Sequence, residues 1–247
     1  TLATRPIDLR GLEVRRGSKT FRWSGRFEGD MNAAETLEVD LNVLAERGPK
    51  VPEVFADSDT VFLANTHPTL QRDLLSQLRS PKLVVCDTMN HWITTERESL
   101  VATLRVVTGV IVNDGEARQL TGRMNLMEAG EAILKLGPKF VIIKKGEHGA
   151  LLFSNHSFFS APAYPLESIY DPTGAGDTFA GGFMGYLSKV RKITEPNVRK
   201  AIIYGSVLAS YNVEDFSLNR LRRLTMNDID RRYKEFIECR GRQSFNQ

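Results

Sequence analysis

Cysteine is scarce: the 247 residues hold two, Cys86 and Cys239, far apart and in no metal-ligand spacing. That excludes a disulfide framework and makes a cytoplasmic protein the expectation. Cys86 closes the apolar run "KLVVC" and reads as a buried, reduced thiol. The four histidines, His91 and His148 among them, belong to no motif and are assigned no chemistry. No apolar run is long enough to cross a bilayer and no signal peptide is visible, so no membrane partner is expected. Charge of one sign is not in excess, at a formal net +3. The one dense basic cluster, near Arg220, Arg222 and Arg223, reads as a solvated helix end, so no nucleic-acid partner is expected. Internal repeats and low-complexity tracts are absent. The length suits one large or two small domains with a sizeable core.

What is present is alternation. "VFLA" (61–64) precedes a helix opened by Pro68, and "KLVVC" (82–86) precedes a helix near "TERESLVATLR". "VVTGVIV" (106–112) precedes "DGEARQL", and "FVIIK" (140–144) follows "MEAGEAILKL". Continuous apolar runs of β-branched residues between amphipathic helices predict a doubly wound α/β fold, a mostly parallel sheet with helices on both faces. Such sheets bind ligands at the carboxyl ends of their strands.

Residues 18–44 read differently. Phe21, Trp23, Gly25 and Phe27 alternate with Thr20, Arg22, Ser24 and Arg26. Leu37, Val39, Leu41 and Val43 alternate with Thr36, Glu38, Asp40 and Asn42. Strict period two predicts strands with one covered and one polar face. Two strands around "EGDMNAAE" form a β-flap, so residues 18–44 are expected as a lid, and 1–17 with 45–247 as the core. The plain reading of the polar face is cross-strand arginine–acid pairing; the functional one is a lid over a polar substrate, with Arg22 as a contact. The apolar face is too large for two strands to bury alone. Its cover is expected from preceding N-terminal strands, from the core domain or from a second subunit, the last giving a homodimer through the flap.

The densest glycine segment is "DPTGAGDTFAGGF" (171–183), after a short strand-like "ESIY" and opening an apolar helix. Gly174, Ala175 and Gly176 allow successive amides to point one way at a helix N-terminus, which attracts a phosphate. Asp177 opposes simple phosphate binding. It suits phosphoryl transfer, in which an acid accepts the proton of an attacking hydroxyl while amides stabilise the transferring group. The alternative for Asp177 is a helix cap. A degenerate dinucleotide fingerprint through Gly174, Gly176 and Ala180 is weak: it falls late in the chain, and Asp177 would repel a pyrophosphate.

The segment closely resembles the C-terminal signature of the ribokinase-like (PfkB-type) carbohydrate kinases. Three more segments, in the family's order, share the resemblance: "LVVCDTMN" (83–90), "VNDGEARQLTG" (112–122) and "IIKKGEHGALLF" (142–153). The resemblance implies transfer of the γ-phosphoryl of ATP to a sugar or nucleoside hydroxyl, with Mg²⁺. It implies Asp177 as the base and the amides of Gly174, Ala175 and Gly176 as the anion hole. Asn113 and Glu116 match the segment that organises Mg²⁺ and phosphates through water; the plain reading of Glu116 is a surface acid at a helix start. Gly146 and Gly149 would line the adenine and ribose side, and Lys145 would reach a phosphate, although Lys144 and Lys145 also fit solvated strand-end charges. Asp87 and Asn90 fall in the strand-end turn expected near substrate. Asp171 and Thr173 match positions that hold a monovalent cation in several members; the later stretch "ASYNVEDFSLNRL" lacks the glycine that usually accompanies that site. "TLATRPIDLRGLEV" resembles the middle of the family's N-terminal half, so several tens of family residues are expected either to precede it or to be missing from a shortened homologue. The alternatives to a sugar kinase are a nucleoside kinase of the same family and a nucleotide-binding pseudokinase without a complete substrate site.

Overall fold

A computed structural model of the chain describes residues 5–27, 29, 31, 34–154 and 157–241. Two strands, β1 (Arg22–Phe27) and β2 (Ala34–Asp40), pair antiparallel in a sheet of their own. Residues 28, 30, 32 and 33 of the expected connection, and the Cys239 side chain, lie outside the described residues. The polar face carries cross-strand pairs: Arg26 reaches Glu35 at 2.7 Å and Arg22 reaches Glu38 at 3.6 Å. The alternation does not run through as its sequence suggests. Ser24 faces Glu38 and Gly25 faces Thr36, so Leu37 is the extra residue of a β-bulge and stands 57% exposed. Beyond the bulge the faces exchange, and Thr36 joins the Trp23 side, where its hydroxyl accepts from Trp23 Nε1 at 3.2 Å. Leu41 is already helical and Val43 lies in a 3-10 turn, Asn42–Ala45, so neither extends the strand.

The main sheet has six strands in simple order: β3 (Thr60–Leu63), β4 (Leu83–Asp87), β5 (Gly109–Asn113), β6 (Phe140–Lys144), β7 (Ala150–Ser154) and β8 (Ser157–Ala161). The first four are parallel and the last two antiparallel. Between the parallel strands run α1 (Pro68–Ser76), α2 (Asn90–Thr95), α3 (Arg97–Leu104), α4 (Asp114–Thr121) and α5 (Leu126–Leu134). Period two divides each apolar strand between two cores. Val84, Cys86, Val110, Val112, Val141 and Ile143 pack with Leu100, Leu104, Leu120 and Ile133 of the crossover helices. Val85, Ile111, Ile142 and Leu152 pack on the other face against helices that follow the sheet: α6 (Ala175–Val190), α7 (Glu195–Asn212), α8 (Asn219–Arg223) and α9 (Met226–Gly241). Both faces are covered, as the apolar strands predict. Burial pushes the Cys86 thiol far above its ordinary range, so it is inert packing.

"ESIY" is not a strand in this structure. Tyr170 stands 70% exposed, and the amides of Tyr170 and Asp171 both donate to Val213 O beyond the end of α7. This tie sets the approach to the glycine turn. The position of α6 is set by a close crossing with α7. A side-chain carbon on Gly182 would lie 2.8 Å from Tyr204 O and 3.0 Å from Gly205 Cα, so the backbones meet directly. Gly182→Val should wedge the pair apart and lower stability by about 1–3 kcal/mol. In a thermal melt this corresponds to a midpoint about 3–10 °C lower, and an unchanged midpoint would show that the crossing yields freely.

Candidate active site

Three neighbouring parallel strands each end in a polar residue: Asp87 on β4, Asn113 on β5 and Lys144 on β6. Asn113 and Lys144 are direct partners in the parallel ladder. Asn113 then caps α4. Its side chain accepts from Glu116 N–H at 2.7 Å, and Glu116 Oε2 accepts from Asn113 N–H at 2.7 Å, a reciprocal capping box. The box folds Glu116 inward. It is 6% exposed, which removes the reading of a surface acid.

Two buried carboxyls therefore sit at the strand ends, Glu116 and the 5%-exposed Asp87. Burial pushes Glu116 up to about 7; Lys144 opposes the shift and Asp87 adds to it. Burial also pushes Asp87 up, with Lys144 again opposing and Asp177 adding. Lys144 thus offsets two acids that would otherwise be expensive to keep charged away from water.

The glycine turn lies over this group. Gly174 has φ 78°, a left-handed conformation that costs a side-chain-bearing residue energy. Asp177 is the third residue of α6 and exposed. The Ala175 amide, expected to face an anion, donates instead to Pro172 O at 3.1 Å. The amides of Gly176 and Asp177 have no backbone acceptor among the described residues, as expected in a first helical turn. A side-chain carbon on Gly176 would lie 2.7 Å from Lys144 Nζ, so the ammonium occupies that space beside the free amides.

The lysine brought to the turn is Lys144 rather than Lys145. Lys145 closes the following loop through its backbone, donating to Gly149 O at 2.7 Å. Gly146 is exposed, whereas Gly149 is buried at φ 83° with Ala161 O filling the space of a side chain. Asn90 opens α2 with its side chain exposed, and Arg22 is engaged with Glu38. Asp171 accepts from Thr173 N–H at 2.9 Å and from Ser217 N–H at 3.1 Å. Burial alone would raise its pKa, but these hydrogen bonds outweigh it and hold the carboxyl below its ordinary value. Ser217 takes φ 56° in the stretch that lacks glycine. Two positions escape the sequence reading. Gln71 of α1, buried, donates to Leu63 O, Ala64 O and Asp87 O at 3.0–3.1 Å, joining the ends of β3 and β4. Lys144 had one available signal: it ends a parallel strand, as Asp87 and Asn113 end the two parallel strands that precede it.

This arrangement has known counterparts. The sequence pattern of the pfkB family carbohydrate kinases matches residues 67–221. The chain is 30% identical over 194 residues to a cytidine kinase from Thermococcus kodakarensis, a match covering 76% of this chain and 68% of that protein.

The chain belongs to the pfkB family of carbohydrate kinases.

Solved kinases share the fold. A fructokinase from Vibrio cholerae O395, in a fructose-, ADP- and calcium-bound form, superposes with a TM-score of 0.72 at 16% identity, over 87% of this chain and 74% of that one. An aminoimidazole riboside kinase from Salmonella enterica, complexed with aminoimidazole riboside and an ATP analogue, gives 0.63 at 20% identity, over 72% and 63%. The chain thus spans about two thirds of the length of these relatives. The pfkB match takes in β4, α4, β6 and the glycine turn that opens α6, the elements that carry Asp87, Glu116, Lys144 and Asp177.

The raised Glu116 pKa fixes a pH dependence. The group shifts from 4.5 to about 7 on folding, so the folded chain keeps a proton that the unfolded chain has lost. Stability from this group is full below about pH 4.5 and falls as pH rises through about 7, by on the order of 3 kcal/mol at most. Glu116→Gln keeps a capping acceptor and removes the titration. Urea unfolding at pH 5 and pH 7.5 should show a smaller loss of stability in the variant than in the parent; equal losses would mean that Glu116 is not the titrating group.

Proposed function

We propose that this chain transfers the γ-phosphoryl group of ATP to a hydroxyl of a sugar or sugar-bearing small molecule. The observation that carries the reading is the meeting of Asp177 with the unpaired amides of α6 and the Lys144 ammonium at the carboxyl ends of three parallel strands. The hydroxyl oxygen attacks the γ-phosphorus, its proton passes to the Asp177 carboxylate, and the bond to the bridging oxygen breaks to leave ADP. The Gly176 and Asp177 amides and Lys144 bear the negative charge of the transferring group.

The residues fit a Mg²⁺–phosphate partner. Among the described residues no three acidic, histidine or cysteine side chains converge as a metal cage. Mg²⁺ keeps much of its water and is commonly bound through few carboxylates and substrate phosphates. Glu116 and Asn113 would hold it through water, and it would neutralise phosphate charge there. Gly146 and Gly149 would border the nucleotide's adenine and ribose.

A nucleoside acceptor is the second reading, favoured by the cytidine kinase likeness. Residues 18–44 form the lid in this scheme, with Arg22 toward substrate, supported by the separation of β1 and β2 from the main sheet. Exposed Leu37 and half-buried Trp23, Phe27 and Val39 support a flap-to-flap homodimer. No helix among the described residues is long and apolar enough to cross a membrane.

Incubation with ATP and Mg²⁺ against a panel of sugars and nucleosides tests the reading: ADP release coupled to a phosphorylated acceptor is expected. ATP binding with no transfer to any acceptor would instead indicate a pseudokinase. Asp177→Asn removes the base with little change of shape, and should keep ATP binding while lowering kcat by several orders of magnitude. Near-parental turnover would remove Asp177 from the chemistry. Glu116→Gln should raise the Mg²⁺ concentration needed for half-maximal turnover more than it weakens metal-free ATP binding; an unchanged Mg²⁺ titration would confine Glu116 to its capping role.

A further inference from the structure

Asn212 is the last residue of α7, 2% exposed, and no motif points to it. Among the described residues its carboxamide makes two hydrogen bonds, and both go to the glycine turn. Nδ2 donates to Thr173 O at 2.8 Å, immediately before Gly174. Oδ1 accepts from Thr178 Oγ1 at 3.0 Å, immediately after Asp177. One side chain therefore spans the segment Gly174–Ala175–Gly176–Asp177 from a helix that is 39 and 34 residues away in sequence. A side-chain carbon on Gly174 would lie 3.7 Å from Asn212 Oδ1, so the amide also packs against the turn it spans.

The need for such a brace follows from the turn's composition. Gly174 at φ 78° is the softest point of the backbone, and glycine does not hold one conformation by itself. The direction of the Gly176 and Asp177 amides depends on what fixes the chain before Gly174 and after Asp177. The backbone bond from Thr178 N–H to Gly174 O, at 2.8 Å, closes the helical side. Asp171 ties the Thr173 and Ser217 amides and sets the entry. Asn212 is the group that joins the two ends. The chemistry is selective: Asp lacks the donor that Thr173 O requires, and Leu, of similar shape, lacks donor and acceptor alike.

We propose that Asn212 is a positioning residue for phosphoryl transfer, holding the glycine turn so that the α6 amides and Asp177 share one reacting geometry. This rests on the kinase reading above. Preorganised donors act most strongly on charge that develops in the transition state, and small misplacement costs rate more than ground-state binding.

The test pairs Asn212→Leu with the milder Thr178→Val, which removes only the hydroxyl donor. Asn212→Leu should lower kcat by about 10–100-fold with the ATP dissociation constant changed by less than about threefold. Thr178→Val should lower kcat less, and the double variant should lose little beyond Asn212→Leu, because both act on one bridge. Amide hydrogen exchange, read by mass spectrometry on peptides covering residues 171–180, requires no substrate. Faster exchange confined to that segment in both variants is expected. If Asn212→Leu does not fold, Thr178→Val alone decides. Unchanged exchange in the turn, or a kcat loss matched by equal loss of folded protein, would overturn the proposal. Parent protein that transfers no phosphoryl group would overturn the kinase reading, while the exchange result would still decide whether Asn212 holds the turn.

Discussion

The site depends on one electrostatic constraint: two carboxyls and one ammonium share the buried ends of three parallel strands. Asp87 and Glu116 are each more than nine-tenths buried, and each is pushed toward its protonated form. Lys144 opposes both shifts from the end of β6. Its ammonium also reaches the space above Gly176, so the charge that balances the acids extends to the first turn of α6. Displacing Lys144 would leave uncompensated buried acid beneath the glycine turn. The parallel ladder matters because it aligns the carboxyl ends of β4, β5 and β6, which an antiparallel order would not do.

The second requirement is mechanical. The turn begins at a glycine with no steric preference of its own, so its shape is imposed from outside. The Gly182–Gly205 contact sets α6 against α7, and Asn212 at the end of α7 closes on the turn. The end of α7 is itself braced: Arg232 of α9 lies 3.4 Å over the Tyr211 ring and pairs with Glu214 at 2.5 Å, and Tyr211 donates to Asp228 O at 2.9 Å. A chain of packed groups thus connects α9, through the end of α7, to the free amides of α6, although α7 and α9 contribute no acid or base to the proposed chemistry.

The two-stranded sheet shows how far a periodic pattern can mislead. The Arg22–Glu38 pair follows from alternation, but a single bulge at Leu37 exchanges the faces beyond it, and Arg26 meets Glu35 only because of that exchange. A one-residue slip moves every later side chain to the opposite face. Thr36 gains the Trp23 indole as a partner, and Leu37 loses its cover. The apolar surface expected from the sequence is correspondingly smaller and less continuous.

Much of the molecule was determined by the sequence. The β-branched runs ending at Cys86, Val112 and Lys144, alternating with helices, specify central strands covered on both faces, because a strand with one face in water alternates apolar with polar residues instead. The spacing of Asn113 and Glu116 specifies a capping box, since the N-cap and the third helical residue always face one another. The density of small residues at 174–176 specifies a tight entry into α6 with free amides in its first turn. These are local rules, satisfied within a few residues. What the tertiary structure alone decided is long-range. "ESIY" forms no strand because the Tyr170 and Asp171 amides find Val213 O, 43 and 42 residues onward by number. Lys144 rather than Lys145 meets the turn because pairing between β5 and β6 and the approach of α6 determine which side chain points there. Asn212 becomes the brace of the turn because α6 and α7 cross at two glycines. The physical reason is common to all three: a hydrogen bond or a buried charge is completed by the group that packing brings within about 3 Å, and separation along the chain carries no information about which group that will be.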